Sequence, residues 1–228
     1  MTPLPPIVST EELETERAAL LEEEKALTHR LDALAARRRR LPMTPVAQAD
    51  TYTFHGPEGD VGLLDLFDGR RQLVVYHFMF PPGQAEPCVG CSTFTDNIAG
   101  LEHLRARDTN LVLIARAPLD ELLAYRERMG WTVPFYSSEG SAFNADFGVT
   151  RDERDGFKLS VLLRDGDAVY RTYWTTSRGV DRLRFDFNIL DLTPYGRQEA
   201  WEDSPDGWPQ TPTMGWLRRH DEYADAVR

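Results

Sequence analysis

The chain has 228 residues, 41% of them hydrophobic and 28% charged, a size and balance that suit one large domain with appendages or two small ones and exclude general disorder, a fibrous repeat or a membrane-embedded protein. Lysine plus arginine number 26 against 37 aspartate plus glutamate, a formal charge of −11, and so acidic a body repels nucleic-acid phosphates and anionic lipid. No apolar run reaches the roughly 18 residues of a spanning helix, and the opening MTPLPPIVST lacks the basic and apolar regions of a signal peptide, so a cytoplasmic location is expected.

Residues 1–8 carry three prolines and read as a loose arm. Ser9 followed by Glu12 is a capping-box pattern, and Leu13, Leu20, Leu27, Leu34 and Leu41 recur every seven residues. Together they predict one helix from Ser9 to Leu41 with an apolar ridge. Arg17, Glu24 and Arg38 stand where a self-sufficient zipper wants apolar residues, so the ridge is expected to pack on its own domain or join a homo-oligomer. Glutamates fill the first turns and Arg37–Arg40 close the helix; the helix dipole favours that polarity, so the arginine run needs no nucleic acid to explain it.

Short alternating stretches follow. Thr51–Phe54 and Val61–Phe67 flank a turn at Gly56–Gly59, predicting a hairpin that leads into a helical turn. Leu73–Phe80 is a continuous apolar run of strand length, the mark of a central strand buried on both faces. A loop rich in proline leads to Cys88, after which Phe94, Ile98, Leu101 and Leu104 recur at helical spacing. Leu111–Ala115 reads as a strand, Pro118–Met129 as a helix ended by Gly130, Trp131–Ser137 as an extended segment and Ser141–Phe147 as a short helix. Leu159–Leu163 and Ala168–Trp174 around Asp165-Gly166 form a hairpin signal. A helix over Val180–Leu190, a Trp/Pro-rich tail and a terminal stretch Gly215–Val227 complete the chain. The order predicts an α/β fold with a mixed sheet and right-handed parallel crossovers.

Only two cysteines occur, Cys88 and Cys91, spaced C-x-x-C. At the junction of a buried strand and a helix, the first thiol meets the free N–H groups of the helix N-terminus, which favour a thiolate, and the second lies within disulfide reach. On this reading Cys88 attacks and Cys91 resolves. The rival readings are a Cu or Zn site completed by His77, His103 or Met79, and two inert buried thiols. His77, inside the apolar strand, reads as a hydrogen-bonded core residue, with Met79 on the same face two residues on. A continuous helix would carry His103 about 22 Å from its start, out of reach of Cys88. Glu86 is the charge nearest Cys88 and would raise its pKa if close; Arg116 and Arg154 are the cations considered for the opposite role. Serine-hydrolase, zincin, P-loop and Rossmann signatures do not occur in the sequence.

The blocks YHFMF at Tyr76–Phe80, C-x-x-C, DNIAGLEHL, RAPL, ERMGW, LLRDGDAVYRTY and LDLTPYGRQE together resemble the bacterial domain of unknown function 899 family over residues 15–200. That resemblance implies a thioredoxin-like fold, allied to the alkyl hydroperoxide reductase and thiol-specific antioxidant group, with Cys88 and Cys91 at the redox-motif position. The segment MGWTVPFYSS through FGVT is similar to a peroxiredoxin segment, with Pro134 and Phe147-Gly148-Val149 holding its marked places. Thioredoxins place a cis proline before the strand facing the dithiol, whereas Lys158 stands before Leu159 here, a departure that weakens general protein-disulfide reduction. Peroxiredoxins place a threonine three positions before the attacking cysteine; Cys88 would hold that place, which would make Cys91 the attacker and Cys88 the resolver.

The resulting expectation is an N-terminal arm and helix (1–45), a thioredoxin-like domain (46–200) and a C-terminal tail packing on the domain or a partner (201–228). The expected function is a thiol–disulfide oxidoreductase or thiol peroxidase, with a small-molecule or protein disulfide or peroxide as substrate, a cellular reductant as partner, and no cofactor, nucleic acid or membrane. The alternative is a Cu- or Zn-binding protein using Cys88, Cys91 and His77.

Overall fold

From Thr10 to Arg38 the chain is a single helix, α1. Ser9 caps it reciprocally: its hydroxyl accepts the Glu12 N–H at 3.2 Å and the Glu12 carboxylate accepts the Ser9 N–H at 2.9 Å, so two donors left over by helix geometry are satisfied. None of its residues is buried, and the ridge from Leu13 to Leu34 stands in solvent on the single chain. The computed structural model describes residues 3–223. Residues 1–2 and 224–228, with the ends of the predicted arm and of the stretch Gly215–Val227, lie outside the described residues.

The body runs β1 (Thr44–Pro45), β2 (Thr53–Gly56), β3 (Gly59–Gly62), a 3-10 turn at Asp65–Phe67, β4 (Gln72–His77), α2 (Val89–Asp96), α3 (Glu102–Arg105), β5 (Thr109–Ala115) and α4 (Leu119–Arg128). It continues through β6 (Phe135–Ser137), α5 (Phe143–Asp146), β7 (Thr150–Arg151), β8 (Arg154–Asp155), β9 (Lys158–Asp165), β10 (Ala168–Thr175), a 3-10 segment at Ser177–Leu183, α6 (Phe185–Leu190) and a 3-10 turn at His220–Glu222. Eight strands form one sheet in the order β1-β10-β9-β4-β5-β6-β2-β3. β4 pairs parallel with β5 and antiparallel with β9. The contiguous order β5-β4-β9-β10, with α2 crossing over from β4 to β5, is the thioredoxin-like arrangement, extended here by strands at both edges.

Alternation along β4 decides what lies on each face. Tyr76 and the following Phe78 join an apolar layer with Cys91, Phe94, Leu113, Phe135 and α4 residues Leu122 and Tyr125. Leu73 and Val75 join the opposite layer with Phe54, Phe67, Ile114, Phe143 and Leu162. The loop Phe78–Pro87 therefore delivers the cysteines to the α2–α4 face.

The predicted helix from Cys88 through Leu104 is broken. α2 ends at Asp96, where the Asn97 side chain turns back, donating to the Thr93 carbonyl at 2.6 Å and accepting the Asp186 N–H at 2.8 Å. His103 consequently sits on the separate helix α3, and the distance along one continuous axis does not apply. Ile98 and Leu101 still pack on the same layer as Phe94, which is why the periodicity reads straight through the break. The predicted helix Val180–Leu190 is likewise divided, with Arg184 in extended geometry between the 3-10 segment and α6. The two-residue strands β1, β7 and β8 carry no periodicity of their own and escape the sequence pattern.

Candidate functional site around Cys88 and Cys91

Cys88 is the N-cap residue of α2, and its sulfur accepts the Cys91 N–H at 3.4 Å. Cys91, one turn on, is 1% exposed, and its sulfur accepts the Met79 N–H at 3.5 Å. The Cys88 N–H donates to the Met79 carbonyl at 3.2 Å, so the residue just past β4 grips both ends of the motif. Both cysteines are free thiols.

Their environments pull in opposite directions. Cys88 is brought down to about 6, chiefly by the hydrogen bond from the Cys91 thiol, then by the N–H groups of Cys91 and Gly90 and the charge of Arg219, against the opposing effect of burial. Cys91 is pushed well up, first by burial and then by its hydrogen bond to Cys88. Tyr76 lines the same cavity as Cys91, and its own ionisation is raised by burial and by both cysteines, so its hydroxyl stays neutral and able to donate. Its ring is stacked on Phe94 at 4.1 Å between centroids, which fixes its direction.

Neither Tyr76 nor Arg219 is apparent from the sequence. Tyr76 reads as one more apolar strand residue, and Arg219 lies 132 residues from the loop it holds. The Arg219 guanidinium donates to the Pro87 carbonyl at 2.7 Å and the Tyr125 hydroxyl at 3.1 Å. It also pairs with Glu222 at 2.6 Å and Glu86 at 2.9 Å, so Glu86 faces cations rather than acting on Cys88 alone. Arg116, considered for this role, is held by Asp155 at 2.8 Å, and Arg154 lies on β8.

His77 is fully buried among Phe143 and Phe147 on the opposite face of the sheet from the cysteines. Its ring nitrogens are taken, Nδ1 by Asn144 at 3.3 Å and Nε2 by Ser160 at 3.1 Å. The metal set Cys88, Cys91 and His77 is therefore not brought together, because neighbours in a strand face opposite ways. Met79 does not share the His77 face as predicted. The strand ends at His77, and Met79 turns onto the cysteine layer. Among the described residues no group of three or more His, Cys, Asp or Glu side chains is placed to hold a metal, and no helix is long and apolar enough to cross a membrane.

A cavity of about 560 Å³ opens over Cys88 and Cys91. Tyr76, Met79, Phe94 and Phe157 line it with the cysteines, as do Trp201 and Met214 of the C-terminal segment.

Comparison with known proteins gives one family and a set of structures. The family model described as a bacterial protein of unknown function, DUF899, matches residues 2–223. No curated protein matches the chain. Among solved structures, the bacterioferritin comigratory protein of Xanthomonas campestris, described for its alkyl peroxide reduction activity, is 14% identical. That match covers 65% of this chain and 98% of that one, with a TM-score of 0.44. Peroxidoxin BcpB of Mycobacterium tuberculosis is 18% identical, over 63% of this chain and 93% of that one, with a TM-score of 0.47.

Proposed function

We propose, from the premise that this chain belongs to the DUF899 family of bacterial proteins, that it is a thiol–disulfide oxidoreductase in which Cys88 attacks and Cys91 resolves. The observation that carries this reading is the asymmetry of the pair. A half-buried sulfur sits at a helix N-terminus with the next turn's N–H directed at it, and a fully buried thiol lies one turn behind. Cys91 as the attacker, the order peroxiredoxins suggest, is disfavoured because burial holds it protonated.

In the reaction the Cys88 thiolate attacks one sulfur of a disulfide RS–SR′. The S–S bond of the substrate breaks, and R′S⁻ leaves with the electron pair and takes up a proton. The Cys91 thiol loses its proton and attacks the Cys88 sulfur, so RS⁻ leaves and the Cys88–Cys91 disulfide forms. The substrate gains two electrons and the protein loses two, which an external thiol reductant restores. Tyr76, which lines the cavity with Cys91 and stays neutral, is the donor available to the Cys91 sulfur as it gains negative charge.

A redox titration read by alkylation and intact mass tests the assignment. Expected is one reversible intramolecular disulfide with a midpoint within about −120 to −300 mV, the span of dithiol oxidoreductases. Cys91→Ser should accumulate a mixed disulfide on Cys88, and Cys88→Ser should remain unreacted. A mixed disulfide on Cys91 in the Cys88→Ser protein would reverse the roles, and no disulfide at any poise would end the proposal.

A further inference from the structure

The cavity over the thiols is large enough to enclose a small organic molecule. Its surface near the sulfurs is apolar, formed by Met79, Phe94, Phe157 and Val180. The segment that we call its roof lies far along the chain and is held together by Glu199, which lines the same cavity. That buried carboxylate accepts the Trp201 indole N–H at 2.6 Å, the Trp216 indole N–H at 2.7 Å and the Met214 backbone N–H at 2.8 Å. A molecule smaller than the cavity can lie among these residues without moving the segment.

Charge narrows the choice further. Three arginines line the cavity, and each is already held by an aspartate: Arg178 by Asp181 at 3.3 Å, Arg184 by Asp186, and Arg197 by Asp191 at 2.7 Å and Asp181 at 3.2 Å. Glu199 adds a negative charge to the same wall. A ligand carboxylate would meet guanidinium groups whose charge is balanced in place, and its desolvation would go uncompensated.

Resting on the dithiol reading above, we infer that the substrates are neutral low-molecular-weight disulfides carrying an apolar or aromatic group, with the cavity as their binding site. The reaction is the exchange already written, with R and R′ apolar and the thiol reductant unchanged.

The test compares dipyridyl disulfide, a neutral aromatic probe, with glutathione disulfide, an anionic one, and with insulin. Each kcat/KM is divided by the rate at which dithiothreitol alone reduces the same compound. The normalised value for dipyridyl disulfide is expected to exceed both others by about tenfold or more, the discrimination an apolar pocket can supply. Met214→Trp, which fills the roof side, should lower the ratio of dipyridyl to hydroxyethyl disulfide turnover by about tenfold. Trp201→Ala, which opens the roof, should bring the glutathione disulfide and dipyridyl values together and covers the case in which Met214→Trp fails to fold. Equal normalised values in the unaltered protein, or insulin reduced as well as dipyridyl disulfide, would overturn the substrate class while leaving the dithiol reading intact. Failure of the redox titration would remove both.

Discussion

Cys88 and Cys91 are chemically the same group three positions apart, and their surroundings make them different reagents. The Cys91 thiol's hydrogen bond, the N–H groups of the helix N-terminus and Arg219 act on the first; burial acts chiefly on the second. Iodoacetamide should therefore modify one thiol, Cys88, with a rate that rises through about pH 6, well below the ordinary thiol range, while Cys91 stays unmodified in the folded protein. Arg219→Gln removes a favourable charge from the thiolate, so the midpoint of that profile should move upward; an unmoved profile would show that the guanidinium holds the loop at Pro87 without acting on the sulfur. Tyr76→Phe deletes the donor to Cys91 and leaves the ring stack on Phe94 in place. The resolving step should slow by about five- to tenfold, the worth of roughly 1 kcal/mol in one hydrogen bond, while the initial attack by Cys88 keeps its pH profile. Stopped-flow observation of a longer-lived mixed disulfide checks this, and equal slowing of both steps would assign Tyr76 to packing alone.

At the scale of elements, what was legible in the sequence is what local chemistry decides. The Ser9 cap, the apolar run of β4, the Gly166 turn and the strand-to-helix junction carrying both cysteines each leave a signal within a few residues. The bond that Asn97, at the break between α2 and α3, accepts from Asp186, 89 residues away, leaves none. The roof over the thiols depends in the same way on distant partners gathered by Glu199. α1 is the converse case: a strong periodic signal that buries nothing on the single chain. With no fully buried residue to lose, and only such contacts as Arg38 over the Tyr173 ring and the Tyr195 hydroxyl on the Pro3 carbonyl, removal of residues 1–41 should leave the Cys88–Cys91 midpoint unchanged and shift Tm by less than about 4 °C, the equivalent of roughly 1 kcal/mol for a chain of this size. A larger drop would mean that the leucine ridge is covered in solution, and light scattering on the full chain would then identify a second copy as the cover.

For the whole molecule, His77 ties stability to pH from the face of the sheet that does no proposed chemistry. Asn144 offers its oxygen to Nδ1, so the network assigns the proton there and leaves Nε2 to accept from the Ser160 hydroxyl. A proton added to this ring would place a charge inside an apolar layer and would turn the Ser160 hydroxyl from donor to acceptor. Burial, with Lys158 and Arg171 nearby, accordingly brings His77 down to about 3. In the unfolded chain the same ring binds a proton near pH 6.5. Between those values the unfolded state holds one more proton than the native state, so stability present above about pH 6.5 is lost as pH falls toward 3, by up to about 1.4 kcal/mol per pH unit. Carboxylates such as Asp221 and Glu222, held low by arginine partners, also lose stabilising charge in acid, and a single unfolding curve cannot separate them from the imidazole. A paired measurement can. Urea unfolding of the unaltered protein and of His77→Gln from pH 7 to pH 4 should show the variant less stable at pH 7 but losing stability more slowly on acidification, by about one proton's worth of slope. Parallel curves would mean that the buried ring titrates as it does in water and that its hydrogen bonds do not fix its charge.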